Sequence, residues 1–408
     1  MEEWKSYKLS DVTDSIGDGI HGTPKYDEDG SYFFINGNNL ENGKIIIRSS
    51  TKRVSEEEAL KHRKRISERT ILVSINGTLG NTARYNYERC ILGKSACYLN
   101  VKEDVDIDFI YYVVTNKQFK DTISRLATGT TIKNVSLETM RNYEFFMPSL
   151  ENQKKISSIL KSLDDKIAIN CQINDNLEQQ AQALYKSWFV DFEPFCEGEF
   201  IESSLGSIPV GWKVGQLSDI CEIVGGGTPS KSHPEYYCKR GIAWITPKDL
   251  SVSKSKFSSR GSEDITSDGY KNSSAKLMPR GTVLFSSRAP IGYISIATNE
   301  ICTNQGFKSA VPGIAGTGYL YYFLQANTEK IESKASGSTF KEASGSLMKA
   351  LEVIIPADGI FNQFEAELAP ILNKQENIAS EIQTLTTLRD TLLPKLMSGE
   401  LKINEIDC

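Results

Sequence analysis

Shifting the sequence by 208 residues lays its second half over its first. Leu9-Ser-Asp11 returns as Leu217-Ser-Asp219, each five residues after a tryptophan, Trp4 and Trp212. Ala127-Thr-Gly-Thr-Thr-Ile-Lys133 returns as Ala335-Ser-Gly-Ser-Thr-Phe-Lys341, and Met147-Pro148 as Ile355-Pro356. A helical pattern follows each of these prolines. A tandem duplication confines the chain to one architecture used twice. The expectation is a pseudo-two-fold molecule with four segments: mixed units over 1–149 and 193–356, a long helix over 150–192, and a second long helix with a C-terminal tail over 357–408.

The units read as α+β. Short β-type runs, Lys44–Arg48, Thr70–Ser74 and Tyr143–Met147 in the first and Ile242–Ile245, Thr282–Ser286 and Leu351–Ile355 in the second, lie between Gly/Asn turns. An amphipathic stretch near Asp106–Leu126 predicts a helix. Phe192–Gly198 and Pro209–Trp212 read as a linker.

The helices carry the firmest periodicity. From Ile156 to Trp188 the positions stepping by 4,3,4,3 include Leu160, Leu163, Ile167, Asn170, Asn174, Leu177, Leu184 and Trp188. Shifted by 208 they include Leu368, Ile371, Ile378, Ile382, Leu385, Leu392 and Leu396. A 3.5-residue repeat of this length is a coiled-coil seam. Its polar members, Asn170 and Asn174 in one helix and Gln375 and Arg389 in the other, fall opposite apolar equivalents, which suits a specific pairing of the two helices. Because each helix follows its own unit, an antiparallel pairing is expected. About 30 helical residues span roughly 45 Å, more than the roughly 34–36 Å of one DNA turn.

The other classes of chemistry leave little trace. No apolar run approaches the roughly 20 residues of a membrane span, and the N-terminus is polar. The eight cysteines form no CxxC pair and there are only three histidines, which argues against a zinc site or a disulfide framework and for a reducing cytoplasm. Cys90 and Cys302 read as small buried apolar residues. Gly225-Gly-Gly-Thr-Pro-Ser-Lys231 lacks the glycine that a Walker loop needs directly before its lysine. No Asn/Asp-Pro-Pro-aromatic tetrapeptide and no plausible triad is present. The chain is expected to be non-catalytic, with no metal and no cofactor of its own. Its net charge of −5 means that any nucleic-acid footprint is local or shared with a more basic partner.

Polar and basic loops recur in both units. Gly22-Thr-Pro-Lys25 matches Gly227-Thr-Pro-Ser-Lys231, Ser74-Ile-Asn-Gly77 matches Ser286-Ser-Arg-Ala289, Gly93-Lys94 matches Gly306-Phe-Lys308, and Thr130–Lys133 matches Ser338–Lys341. Lys and Thr suit phosphates, while Asn and Arg suit base edges. The candidate DNA contacts are therefore Thr23, Lys25, Asn76, Lys94 and Lys133 in the first unit, and Thr228, Lys231, Arg288, Lys308 and Lys341 in the second. Where the units differ, as at Asn76 against Arg288, different bases could be read.

Trp212-Lys-Val-Gly-Gln-Leu-Ser-Asp219 followed by Gly225-Gly-Gly-Thr-Pro229 resembles the opening of a target-recognition unit in the specificity (S) subunits of Type I restriction-modification enzymes. Gln180–Phe192 is similar to their central helix, and Thr387–Leu401 to their C-terminal helix and its exit. The first repeat departs from the pattern, with Gly19-Ile-His-Gly22 replacing the glycine run. The resemblance implies two target-recognition domains, each reading half of a split asymmetric site on double-stranded DNA, and two helices packed as an antiparallel coiled coil. It further implies that the helices dock two methyltransferase (M) subunits, which bind S-adenosylmethionine and methylate an extruded adenine, and that restriction (R) subunits join them. The rival expectation is a coiled-coil scaffold that holds two protein partners without reading DNA. An enzyme with an unrecognised site is a third.

Overall fold

The computed structural model describes residues 4–288, 290–337 and 341–401. The chain forms two compact units, residues 1–168 with 384–408, and residues 169–383. These divide each long helix between them, whereas the repeat places segment boundaries at the helix ends.

In the first unit, β1 (Lys5–Lys8) is clasped antiparallel to the last strand of the globular part, Glu144–Met147, with Lys5 opposite Met147. Directly after β1 the chain turns at Leu9–Asp11, where Asp11 Oδ2 accepts from the Lys8 N–H at 2.7 Å and Leu9 is buried. A four-stranded antiparallel sheet follows in the order β2 (Thr13–Gly17), β5 (Ala96–Val101), β3 (Thr70–Ser74), and the short strand Thr82–Arg84. All five β3 residues are buried. The pleat explains this: Ile71 and Val73 join one apolar cluster with Phe109 and Phe119, and Leu72 joins another with Leu40 and Ile45. Between β3 and β5, β4 (Cys90–Leu92) pairs in parallel with Tyr32–Ile35.

The helix expected over Asp106–Leu126 is two helices, α1 (Ile107–Thr115) and α2 (Lys117–Leu126). Asn116 makes the break, since its side chain accepts from the Phe119 N–H at 2.7 Å and caps the second helix. Of Lys44–Arg48, only Lys44–Ile45 is strand.

The second unit repeats the plan. β6 (Lys213–Gln216) is clasped to Glu352–Ile355, with Lys213 opposite Ile355. The turn after it at Leu217–Asp219 is closed by Asp219 accepting from the Gln216 N–H at 2.8 Å. The sheet runs β7 (Cys221–Gly225), β10 (Lys308–Pro312), β8 (Val283–Ser287), Ile291–Ala297 and Phe257–Ser258. β9 (Cys302–Thr303) pairs in parallel with Trp244–Ile245. The helix α3 (Thr317–Ala326) opens on Gly316, which has no side chain to cap it. Glu365 of the second long helix does so instead, accepting from the Tyr319 N–H at 2.8 Å and the Gly318 N–H at 3.2 Å. Between the two stretches expected as linker, Phe192–Gly198 and Pro209–Trp212, lies a hairpin of Phe200–Ser203 and Gly206–Pro209. Its turn is set by Gly206 at φ +98°, a conformation that glycine adopts without strain. Cys302 is fully buried, and that burial pushes its thiol up to about 12, whereas Cys90 is half-buried.

The long helices are Leu150–Phe189 and Ile360–Ser398, and in each unit they run antiparallel. In the second unit the Phe189 ring packs on Phe364 at 4.9 Å between centroids, and Gln375 Nε2 donates to Glu178 at 3.0 Å. Eleven residues back on one helix are thus matched by eleven residues forward on the other. In the first unit Ile156 and Leu160 share a core with Leu392 and Leu396, while Asp164 accepts from Arg389 at 2.9 Å. The stepped positions from Ile156 to Trp188, and from Phe364 to Leu396, are all buried or half-buried.

The polar seam residues take different roles. Arg389 is neutralised by Asp164, which also accepts from the Tyr112 hydroxyl at 2.7 Å. Gln375 joins a buried network in which Lys256 Nζ donates to Glu178 at 2.6 Å, to Tyr322 at 2.5 Å and to Gln375 at 2.8 Å. Burial alone would raise the Glu178 carboxyl. The Lys256 ammonium and the hydrogen bonds from Lys256 and Gln375 outweigh it and hold the carboxyl below its ordinary value. Asn170 Nδ2 and Asn174 Oδ1 are buried with no hydrogen-bond partner among the described residues.

Candidate DNA interface

Backbone hydrogen bonds give the two units a residue-by-residue correspondence that does not depend on sequence matching. The carbonyl of Ile75, just past β3, accepts from the Val135 N–H at 2.8 Å; the carbonyl of Ser287, at the end of β8, accepts from the Ala343 N–H at 2.9 Å. The preceding loops close in the same way, Thr128 bonded both ways to Asn134 and Ser336 bonded both ways to Glu342. Asn76 therefore corresponds to Arg288, and Asn134 to Glu342.

At this place the units carry different side chains on one backbone frame. Asn76 Nδ2 donates to Asn134 Oδ1 at 3.2 Å. Arg288 lies 3.6 Å from one oxygen of Glu342, and Lys308 Nζ donates to the other at 3.4 Å. Lys133 directly precedes Asn134 and is exposed, as is Lys341 before Glu342. Ala289 and Ser338–Phe340, which belong to the matched loops, lie outside the described residues.

Two loop pairs match out of register, and the structure corrects them. After β4, the Gly93 N–H donates to Ile35 and the Ala96 N–H to Gly93; after β9, the Asn304 N–H donates to Ile245 and the Phe307 N–H to Asn304. Gly93 thus corresponds to Asn304, and Lys94 to Gln305. Lys308 starts β10 at the place of Cys97, which is buried in β5. The glycine–lysine pattern misled because the two glycines are not equivalent: Gly306 stands at the place of Ser95, two residues beyond Gly93.

The Thr-Pro loops shift likewise. The Ile20 N–H donates to the Leu92 carbonyl as the Gly227 N–H donates to the Thr303 carbonyl, so Thr23 and Thr228 are two places apart in the frame. This settles the missing glycine run. Gly19 corresponds to Gly226, and at each a Cβ would run into backbone, the Leu92 carbonyl oxygen in one unit and the Asn304 carbonyl oxygen in the other. The glycine that this approach demands is present in both repeats, whereas Gly227, whose Cβ would meet the backbone nitrogen of Ala275, has Ile20 as its counterpart.

The remaining candidates are surface residues. Thr23, Lys25, Lys94 and Lys231 are exposed, and the Lys25 N–H donates to Glu58 at 2.9 Å. Thr228 is half-buried and its hydroxyl donates to the Gln305 side chain. Asn134, Gln305 and Glu342 escaped the sequence reading. Asn134 and Glu342 stand one residue beyond the repeated Ala-to-Lys motif, so the same 208-residue shift marks their equivalence. Among the described residues no cluster of His, Cys, Asp and Glu is suited to a metal, and no helix is long and apolar enough to cross a membrane.

Known proteins agree with this geometry. Residues 1–179 and 209–396 match the family described as the Type I restriction modification DNA specificity domain. The chain is 43% identical over 165 residues to the Type I restriction enzyme MjaIX specificity subunit of Methanocaldococcus jannaschii, covering 40% of this chain and 38% of that one. To the Type I restriction enzyme HindI specificity subunit of Haemophilus influenzae it is 25% identical over 98% of this chain and all of that one. Its fold is similar to that of the crystallised S subunit of a Type I restriction-modification system from M. genitalium, with a TM-score of 0.63 and 17% identity over 97% of this chain and 96% of that one. A duplicated α+β unit, an antiparallel long helix in each half and a family match over both halves lead to one conclusion: the chain belongs to the Type I restriction-modification DNA specificity family.

Proposed function

We propose that this chain is the non-catalytic, sequence-reading subunit of a Type I restriction-modification complex, and that each unit reads one half of a bipartite, asymmetric site on double-stranded DNA. The long helices dock two methyltransferase subunits, which carry S-adenosylmethionine and the chemistry; restriction subunits complete the nuclease, and the assembly works in the cytoplasm. The observation that carries this reading is the shared loop frame with unlike side chains, Asn76 with Asn134 in one unit and Arg288 with Glu342 in the other. One frame carrying two sets of hydrogen-bonding groups is what two different half-sites require. Lys133, Lys341, Lys25 and Lys231 would hold phosphates.

The test is co-expression with a cognate methyltransferase subunit and mapping of N6-methyladenine across the host DNA. The expected result is a split, asymmetric motif that disappears when this chain is deleted. Methylation that persists unchanged would favour a scaffold that reads no DNA.

A further inference from the structure

The corresponding pairs at the loop frame differ in one chemically decisive way. Asn76 and Asn134 each offer a donor and an acceptor on a neutral amide. Arg288 offers donors only and Glu342 acceptors only. In the major groove adenine presents an acceptor beside a donor, which an amide complements. A G·C pair presents two acceptors on guanine and a donor on cytosine, so a guanidinium beside a carboxylate complements the whole edge. We infer that the Arg288–Glu342 pair reads a G·C base pair in the half-site of the second unit, and that Asn76–Asn134 reads an A·T base pair at the corresponding position of the other half-site.

Three further observations support the assignment, which rests on the DNA-reading function proposed above. First, the Arg288 and Glu342 side chains are 37% and 40% exposed, so both can reach a ligand without unfolding the loop. Second, at 3.6 Å they sit side by side rather than in a tight two-bonded fork, which leaves guanidinium donors free for guanine O6 and N7. Third, a carboxylate facing DNA needs its charge compensated against the phosphates. Lys308, only 16% exposed, does this from the protein side at 3.4 Å. The equivalent of Lys308 in the first unit is Cys97, where the neutral Asn134 needs no such partner.

The experiment maps methylation in complexes of the full chain with its methyltransferase subunits. Arg288→Asn combined with Glu342→Asn installs the amide pair of the first unit in the second. The expected result is a change at one position of one half-site, from G·C to A·T or to no preference, with the other half-site untouched. The preference for G·C at that position should fall roughly 5- to 150-fold. Asn76→Arg with Asn134→Glu should change the opposite half-site in the reverse sense. The single variant Glu342→Gln keeps a hydrogen-bonding side chain and covers the case in which a double variant fails to fold. It should weaken discrimination at the same position. A motif that stays the same in the soluble variants, or a uniform loss at every sequence, overturns the inference and makes the pair a clasp for the loop. Either result leaves the proposed function standing, because that function fails only if methylation is indifferent to the presence of the chain.

Discussion

Gly226 shows how little freedom a single residue can have in a frame that must present variable side chains. Its missing Cβ lets the chain pass against the backbone of Asn304, and Gly19 does the same against Leu92. Gly226→Ala is expected to cost about 2–3 kcal/mol, since the obstructing atom is a carbonyl that cannot rotate away; differential scanning calorimetry of the purified chain would show it as a lowered melting temperature. Gly225→Ala, where a Cβ would find the nearest atom 4.0 Å away, is the control and should stay close to wild type. The lysines proposed to hold phosphates are expected to behave differently from base readers. Lys133→Ala should weaken binding to all DNA sequences alike and reduce the salt slope by about one, whereas a change of sequence preference would assign Lys133 to base reading.

At the scale of elements, the long helices combine an apolar seam with polar positions of opposite kinds. The Glu178–Lys256–Gln375 network is satisfied, and it joins both helices to the globular part of the second unit. Removing one member leaves the other charge buried, so Glu178→Ala is expected to destabilise the chain by about 2–4 kcal/mol in urea unfolding. Because the Glu178 carboxyl titrates below its ordinary value of 4.5, its contribution is complete above that pH and is lost as pH falls through the lowered value. Acid unfolding of the wild type should therefore steepen below about pH 4.5, and Glu178→Ala should flatten that limb. Asn170 is the opposite case, a buried amide whose Nδ2 has no partner among the described residues. Asn170→Leu should stabilise the helix pair by about 1–2 kcal/mol, seen as a raised melting temperature; a lowered one would show that the amide has a partner in solution.

Legibility in the sequence followed the same division. Helices and buried strands were readable, because a 3.5-residue period places Leu160 and a run of β-type residues between turns places Ile71. The break at Asn116 was not, since a side chain that accepts one N–H at 2.7 Å overrides a continuous apolar pattern. The loops were legible as segments but not as residues. Lys94 and Lys308 look alike beside their glycines, yet only the hydrogen bonds of β4 and β9 show that Lys308 stands at a half-buried strand position and Lys94 on the surface. Gln305 and Glu342 are polar residues of unremarked type, and only the frame gives them a place.

For the whole molecule, the duplicated plan confronts an acidic balance of −5. On the proposed function, affinity for DNA would rest on a few local cations and on basic partners, and it should fall steeply with salt. A fluorescence-anisotropy titration of the complex over a range of salt is expected to give a strongly negative log–log slope, and the chain alone a smaller one. The clasp described in each unit has a consequence of a different order. Lys5 lies opposite Met147, and Lys213 opposite Ile355, so the two ends of each globular part lie on neighbouring strands. A segment whose two ends emerge side by side is a cassette: genetic recombination can replace everything between the clasp strands, and with it one half of the recognised word, while the ends that meet the helices keep their spacing.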